Sequence, residues 1–340
     1  MSFLAVLFAL IIEQARPLAR GNWVHAGFRQ WSRWSSRNLD AGQLHHGWIA
    51  WGVAVGTPTI VTLAIHLALW QVTPLLAFVW SVAILYVTLG FRQFSHHFTD
   101  IRDALDDGDE ETARELLARW RQVDASELPR SEIVRHVIEF SVLAAHRHVF
   151  GVLGWFSILA ALGLGPTGAV MYRMSEFVGR YWLYKSKALN AAGEGASPAL
   201  QQAATRAWGV IDFLPARVTA LGFAVVGSFE DAIDAWRNFT LGFSSEADTA
   251  ANRNDGIVLA ATSGALNVRL GGQALTTTFE PLATGEFSPG GIGAPETVSP
   301  VTPGREPDVA HLRSVVGLVW RSVVLWMVLL ALLTVARLLG

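Results

Sequence analysis

Between Trp48 and Trp70 the chain runs through a long apolar stretch that contains no Asp, Glu, Lys or Arg and carries a tryptophan at each end. At 1.5 Å per residue, such a stretch covers the roughly 30 Å hydrocarbon core of a bilayer. Inside lipid, every backbone N–H and C=O must find its partner within the segment, so it has to be a helix. Its one ionisable group is His66, expected to face a neighbouring helix, hydrogen-bonded, or to sit at the interface. Pro74 to Gly90 is a second apolar stretch, near the lower length limit for a span. Only Gln71-Val72-Thr73 joins the two, which makes a helical hairpin, and Pro74 suits a first helical position because its missing N–H would be unpaired there anyway.

Further apolar blocks follow. Met1 to Ile12 is short and has no basic flank or small-residue cleavage pattern, so we expect a retained interfacial or partly inserted helix rather than a signal peptide. Val149 to Gly165 is a third expected span. Val218 to Phe229 is too short to cross and should pack within protein. Ser322 to Leu339 is a C-terminal span with Arg337 placed to reach the interface. Charged residues make up 16% of the chain against about 25% in soluble domains, which agrees with this layout. The expected class is therefore an all-α, polytopic helical membrane protein with a cytoplasmic amphipathic helical region, resident in a bacterial inner membrane and partnered by the bilayer. Arg16 to Arg37 holds five arginines and no acid, and Arg92 to Arg147 holds eight arginines. The positive-inside rule puts both segments in the cytoplasm and the hairpin tip outside.

The expected organisation is an N-terminal membrane region over 1–90, a cytoplasmic helical region over 91–148, a membrane-associated core over 149–272, a flexible linker over 273–312 and a C-terminal transmembrane helix over 313–340. Phe91, Phe94, Phe98, Ile101 and Leu105 recur at spacings of three and four, one apolar stripe on an amphipathic helix. Asp107-Gly108-Asp109 ends that helix, and Asp109 can cap the next, Glu110 to Arg121. Ala191 to Ser197 reads as a loop. Gln273 to Asp308, rich in Pro, Gly and Thr, reads as linker.

Several chemistries are excluded. With no cysteine there is no disulfide, thiolate zinc site, iron–sulfur cluster or thiol nucleophile. A net charge of −2 gives no basic field for nucleic acid. No phosphate loop ending in Gly-Lys-Ser/Thr and no Gly-x-Ser-x-Gly elbow is present. His45-His46, His96-His97 and the His146/His148 pair all lack the i,i+4 spacing of a zinc helix and read as packing or interfacial residues.

Four stretches carry a resemblance. The first contains Gly108-Asp109, Ala113-Arg114, Asp124-Ala125-Ser126-Glu127-Leu128, Ile133, Arg135 and Val137-Ile138-Glu139. The second is Gly165-Pro166-Thr167-Gly168-Ala169 with Tyr172-Arg173. The third is Asp212-Phe213-Leu214-Pro215-Ala216-Arg217. The fourth is Asn254-Asp255-Gly256 with Gly264-Ala265-Leu266-Asn267-Val268-Arg269-Leu270-Gly271-Gly272. In this order they resemble the adenosylcobinamide-phosphate synthase family of cobalamin biosynthesis (CobD/CbiB), with features of its relative AmpE. Gln122-Val123 stand where the family has Gly-Arg. Where the synthases carry Glu-Asn and then Asp-Gly, this chain has Leu143, Ala144, Arg147 and His148. Arg147 and Ile11-Ile12-Glu13 look more like AmpE.

The resemblance implies ATP-dependent amide formation between a corrinoid carboxylate and aminopropanol phosphate, with ATP and Mg²⁺ if that activity is retained and neither if it is not. It implies Asp124, Glu139 and Asp212 as catalytic candidates, and Arg135, Tyr172, Arg173, Arg217, Asn254, Asp255 and Arg269 as substrate-binding candidates. A metal ligand set is not implied. The alternative is a non-catalytic AmpE-like protein in cell-wall stress or β-lactamase regulation. Each candidate also has a plainer role. Arg135 and Glu139 form an i,i+4 pair, Asp212 can cap a helix, Asn254-Asp255-Gly256 reads as a turn, Gly271-Gly272 can end a helix, and Tyr172-Arg173 can anchor at the interface.

Overall fold

The computed structural model describes residues 2–16, 23–121, 123–189, 196–242, 250–272, 275 and 300–339. Among them the regular elements are helical. Three helices are long and apolar enough to cross a membrane: Leu44–Val72, Arg130–Ala161 and Val309–Ala336. Pro198–Ile211 with Phe213–Val226 makes a fourth if that bent pair is one span. The chain divides into two compact units, Met1–Arg92 with Arg147–Pro215 and Trp326–Gly340, and Gln93–His146 with Ala216–Leu325.

The first unit is built on α3 (Leu44–Val72), which follows α1 (Ser2–Ala15) and α2 (Trp23–Leu39) and is joined by Thr73 to α4 (Pro74–Thr88). The expected hairpin is thus present. Thr73 is its N-cap, its hydroxyl accepting the Leu75 and Leu76 N–H groups at 3.1 and 3.4 Å. One face of α3 is made of small buried residues, Gly47, Ala50 and Ala54. Close approach there lets Ser35 donate to the Ala50 carbonyl (2.8 Å) and the Trp31 indole to that of Ala54 (3.1 Å). Toward its C-terminal half α3 shows Ile60, Val61, Leu67 and Trp70, each at least 46% exposed, as a lipid-facing surface requires. The unit is completed by α8 (Gly151–Ala161), α9 (Thr167–Leu189) and α10 (Pro198–Ile211): α9 and α10 pack on each other and on α3, and α8 packs on α9.

Ser197 starts α10. Its hydroxyl accepts the Leu200 N–H at 3.1 Å and donates to Asp40 at 2.7 Å, while its own N–H reaches the other Asp40 oxygen at 3.0 Å. Residues 191–195 of the expected loop lie outside the described residues. Because this serine both caps α10 and pins it to Asp40, Ser197→Ala should cost about 1 kcal/mol. That should appear as a lower melting temperature of the detergent-solubilised chain, and Ser197→Thr should recover most of it.

In the second unit, α5 (Phe91–Asp106) and α6 (Glu110–Arg121) bear out the expected amphipathic pair. Phe98, Ile101 and Leu105 are buried, Gly108 turns the chain with φ +81°, and Asp109 caps α6 by accepting the Thr112 N–H at 3.0 Å. The Thr112 hydroxyl and N–H hold the exposed Asp109 carboxyl below the usual aspartate range.

The third expected span starts earlier than Val149. Helix α7 (Arg130–Ala145) continues through a π-turn (His146–Phe150) into α8 without a break. Within α7, Arg135 pairs with both Glu132 and Glu139, as described below.

Helices α12 (Phe229–Gly242) and α13 (Ala250–Leu266) pack tightly, because Gly256, Ala260 and Gly264 recur every fourth residue on α13. A Cβ at Gly264 would overlap the Asp231 carbonyl, and one at Gly256 would overlap the Phe239 ring. Asn254-Asp255-Gly256 is therefore not a turn but part of a buried helix. Nor does Gly271-Gly272 end that helix, which stops at Asn267 with φ +51°.

Residues 273, 274 and 276–299 of the expected linker lie outside the described residues. Its last part is structured: the Thr302 N–H donates to the Leu270 carbonyl and the Thr302 hydroxyl accepts the Leu270 N–H, both at 2.8 Å, while the Arg305 N–H donates to the Asn267 carbonyl at 3.1 Å and its carbonyl accepts the Arg269 N–H at 2.8 Å. Paired backbone overrides a composition rich in Pro and Gly. Helix α14 (Val309–Leu339) follows, longer than the expected C-terminal span.

Candidate functional site

Two buried polar clusters stand out, one in each unit. In the first unit, Tyr172 lies on α9 and Asp212 ends α10. The Tyr172 hydroxyl donates to Asp212 Oδ1 at 2.8 Å, and both residues are fully buried. Gly151 on α8 makes room for the ring, since a Cβ there would strike the Tyr172 phenol. Burial first, and then the neighbouring Asp212 carboxylate, push the Tyr172 hydroxyl well above its ordinary pKa, so it is held protonated as a donor. Glu176 and Arg147 also act electrostatically on this hydroxyl.

One helical turn along α9, Arg173 donates to Glu176 at 2.5 Å, and Arg180 pairs with the other Glu176 oxygen at 2.7 Å. Arg173 and Arg180 on Glu176, and Arg147 near enough to act on the Tyr172 hydroxyl, bring three guanidinium groups to this cluster. Such a grouping suits an anion with several oxygens, such as a phosphate.

In the second unit, Arg135 and Glu139 on α7 form a buried pair at 3.1 Å, and Glu132 adds a second carboxylate to Arg135 at 2.6 Å. The pair does more than brace its own helix. Glu139 Oε1 accepts the Gly271 N–H at 2.7 Å, a contact across 132 residues of sequence. Gly272 sits beside the Arg135 guanidinium with φ +119°, a backbone conformation that favours glycine. Nearby on the same unit, Arg217 donates to the Asn254 side chain at 3.1 Å, and His146 shares a hydrogen bond with Thr219 at 2.9 Å. Asn254 and Asp255 are buried on α13.

The candidate residues thus separate by environment. Glu139, Asp212, Arg135, Tyr172, Arg173, Asn254 and Asp255 are buried, and Arg217 is half-buried. Asp124 and Arg269 are exposed. Asp124 accepts the Ser126 hydroxyl at 2.7 Å and its N–H at 3.1 Å, which lowers its pKa and marks a local turn. Arg269 contributes its backbone N–H to Arg305. Long-range bonds join the first quoted stretch to the fourth (Glu139–Gly271), the second to the third (Tyr172–Asp212) and the third to the fourth (Arg217–Asn254).

Glu176, Arg180, Thr219 and the Gly256/Ala260/Gly264 face were not singled out from sequence. Arg173, Glu176 and Arg180 have i,i+3 and i,i+4 spacings that were available to reveal the first two. Among the described residues, no group of three His, Cys, Asp or Glu is placed to hold a metal ion.

A family model described as CobD/Cbib protein matches residues 3–281. A cobalamin biosynthesis protein CobD of Chromobacterium violaceum is 34% identical over 210 residues, 61% of this chain and 61% of the relative. One of Stutzerimonas stutzeri is 27% identical over 289 residues, 85% of this chain and 84% of the relative. One of Leptospira interrogans is 27% identical over 192 residues, 56% of each. The chain thus spans about three fifths of the Chromobacterium relative's length and more of the Stutzerimonas one. No solved structure matches.

Proposed function

This chain belongs to the CobD/CbiB family, and from that premise we propose that it is a membrane-bound, ATP-dependent amide synthase of cobalamin assembly, joining a corrinoid carboxylate to the amino group of aminopropanol phosphate. The observation that supports this most is the tying together of the quoted stretches by buried polar bonds, above all Tyr172 to Asp212. Burying a carboxylate costs several kcal/mol, which one phenol hydrogen bond only partly offsets, so its presence at this position supports a functional role.

Amide formation requires that ATP turn one carboxylate oxygen into a phosphorylated leaving group. The amine then attacks the carbonyl carbon, the leaving oxygen departs with its phosphate, and the amine loses protons. Asp212 is our candidate for accepting such a proton, with Tyr172 fixing its orientation. Arg147, Arg173 and Arg180 are the candidates for phosphate oxygens. Mg²⁺ enters with ATP, where one or two carboxylates beside the phosphates suffice. The position at which synthases carry an acid holds Arg147 here, so part of the charge neutralisation falls to a guanidinium.

The test is the purified full chain in detergent with ATP, aminopropanol phosphate and adenosylcobyric acid, read as the amide product by mass spectrometry. Wild type should turn over. Asp212→Asn, which keeps the shape, should lower kcat by roughly a hundredfold or more. Absence of product with wild type, or an unimpaired Asp212→Asn enzyme, would overturn the proposal. We place the protein as a multi-pass component of the bacterial inner membrane. Selective extraction of inner-membrane vesicles checks this.

A further inference from the structure

Within the first unit, a cavity of about 520 Å³ lies among α1, α3, α4 and α8. Leu67, Phe78, Phe156 and Ala160 make its walls largely hydrocarbon. Trp70, Pro74, Gly163 and Gly165 lie around it at the hairpin-tip end. Its size is that of a ligand site, not a packing defect. Its polar side chains include Ser2, Ser81, whose hydroxyl donates to the Ala77 carbonyl at 2.9 Å, and His66. His66 is 6% exposed and makes no hydrogen bond or ion pair among the described residues. Its ring packs against Gly165, where any Cβ would collide with it, and stands near Trp70 at 6.2 Å between centroids. A buried imidazole facing an apolar cavity without a partner is costly unless a ligand supplies one.

We propose that this cavity binds one acyl chain of a membrane glycerophospholipid, with the ester carbonyl of that chain accepting a hydrogen bond from the His66 ring. The position supports that occupant. Trp70 and Pro74 mark the end of the charge-free span, where amphipathic rings sit at headgroup level. His66 lies one helical turn, roughly 6 Å, inside Trp70, the depth at which ester groups follow the headgroups. The flanking Leu67, Leu75 and Leu76 are 42–67% exposed, so hydrocarbon already surrounds the entrance. The walls then take the chain and the histidine takes its one polar group, as ligand sites with few polar contacts do.

The experiment uses the full chain. Wild type, His66→Leu and Ala160→Trp are purified in detergent, washed extensively, and their lipids extracted and identified by mass spectrometry. Wild type should retain a single phospholipid per chain. His66→Leu should bind it roughly tenfold more weakly, and Ala160→Trp, which fills the cavity, should lose it. In parallel, wild type in vesicles is labelled with a phospholipid bearing a photoactivatable group in its acyl chain. Adducts should form on Phe156, which is 1% exposed and out of reach of bulk lipid. Adducts confined to exposed residues such as Leu75 and Leu76, retention of free fatty acid in place of phospholipid, or equal retention by wild type and Ala160→Trp would each overturn the proposal.

Discussion

Glu139→Ala is expected to destabilise the second unit by about 3 kcal/mol, one of the two largest effects predicted for this chain. Arg135 has a side chain 6% exposed and Glu139 one 10% exposed, so water cannot replace the lost partner. Glu132 remains beside Arg135 but is 38% exposed, which limits its compensation and places the expected cost at the lower end of the range for a broken buried pair. The substitution also orphans the Gly271 N–H, bonded to Glu139 at 2.7 Å. Glu139→Gln keeps an acceptor for that N–H and should cost less. A double variant, Arg135→Met with Glu139→Leu, should recover much of the loss, because no unpaired charge stays buried. Melting of the detergent-solubilised chain reads all four proteins. If Glu139→Ala melted with wild type, the pair would be no more than an i,i+4 brace within its own helix.

The second large effect is Gly264→Val. Helix α13 approaches α12 through Gly256, Ala260 and Gly264, and a Cβ at Gly264 would overlap backbone atoms of Asp231 and Ala232, which cannot rotate away. Overpacking of this kind costs about 1–3 kcal/mol, and a β-branched side chain adds bulk at the same contact. The unit should melt earlier. Because α13 also carries Asn254 and Asp255, the Arg217–Asn254 bond at 3.1 Å should loosen with it. Gly222, where a Cβ meets nothing within 4 Å, is the control. Gly222→Ala should leave the melting temperature unchanged or slightly raised. Equal tolerance of the two substitutions would refute the close helix contact.

Much of the fold was legible because one constraint governs it. The α3–α4 hairpin, the Asp109 cap and the stripe of Phe98, Ile101 and Leu105 each follow from rules acting within one or two turns of helix. Legibility failed where long-range contact overrode local preference. Asn254-Asp255-Gly256 has a turn composition, yet it is helical because Gly256 and Gly264 let α12 approach and Asn254 meets Arg217. The end of the linker is rich in Pro and Gly, yet it pairs with Asn267 to Leu270. Asp124 and Glu139 both sit in the first quoted stretch. One proves to be an exposed turn residue and the other a buried anchor, a distinction that motif position alone does not make.

What the amino-acid order determined by itself is that this chain enters a bilayer as helices, since apolar stretches without charge cannot leave their backbone unpaired in lipid. What only the tertiary structure decided is which charges are buried together. Whether Glu139 meets water or the Gly271 N–H, and whether Asp212 caps a helix alone or receives the Tyr172 hydroxyl, depends on segments 132 and 40 residues away. Electrostatic strength follows the local dielectric, and the dielectric at a residue is set by what packs around it, not by its neighbours in sequence.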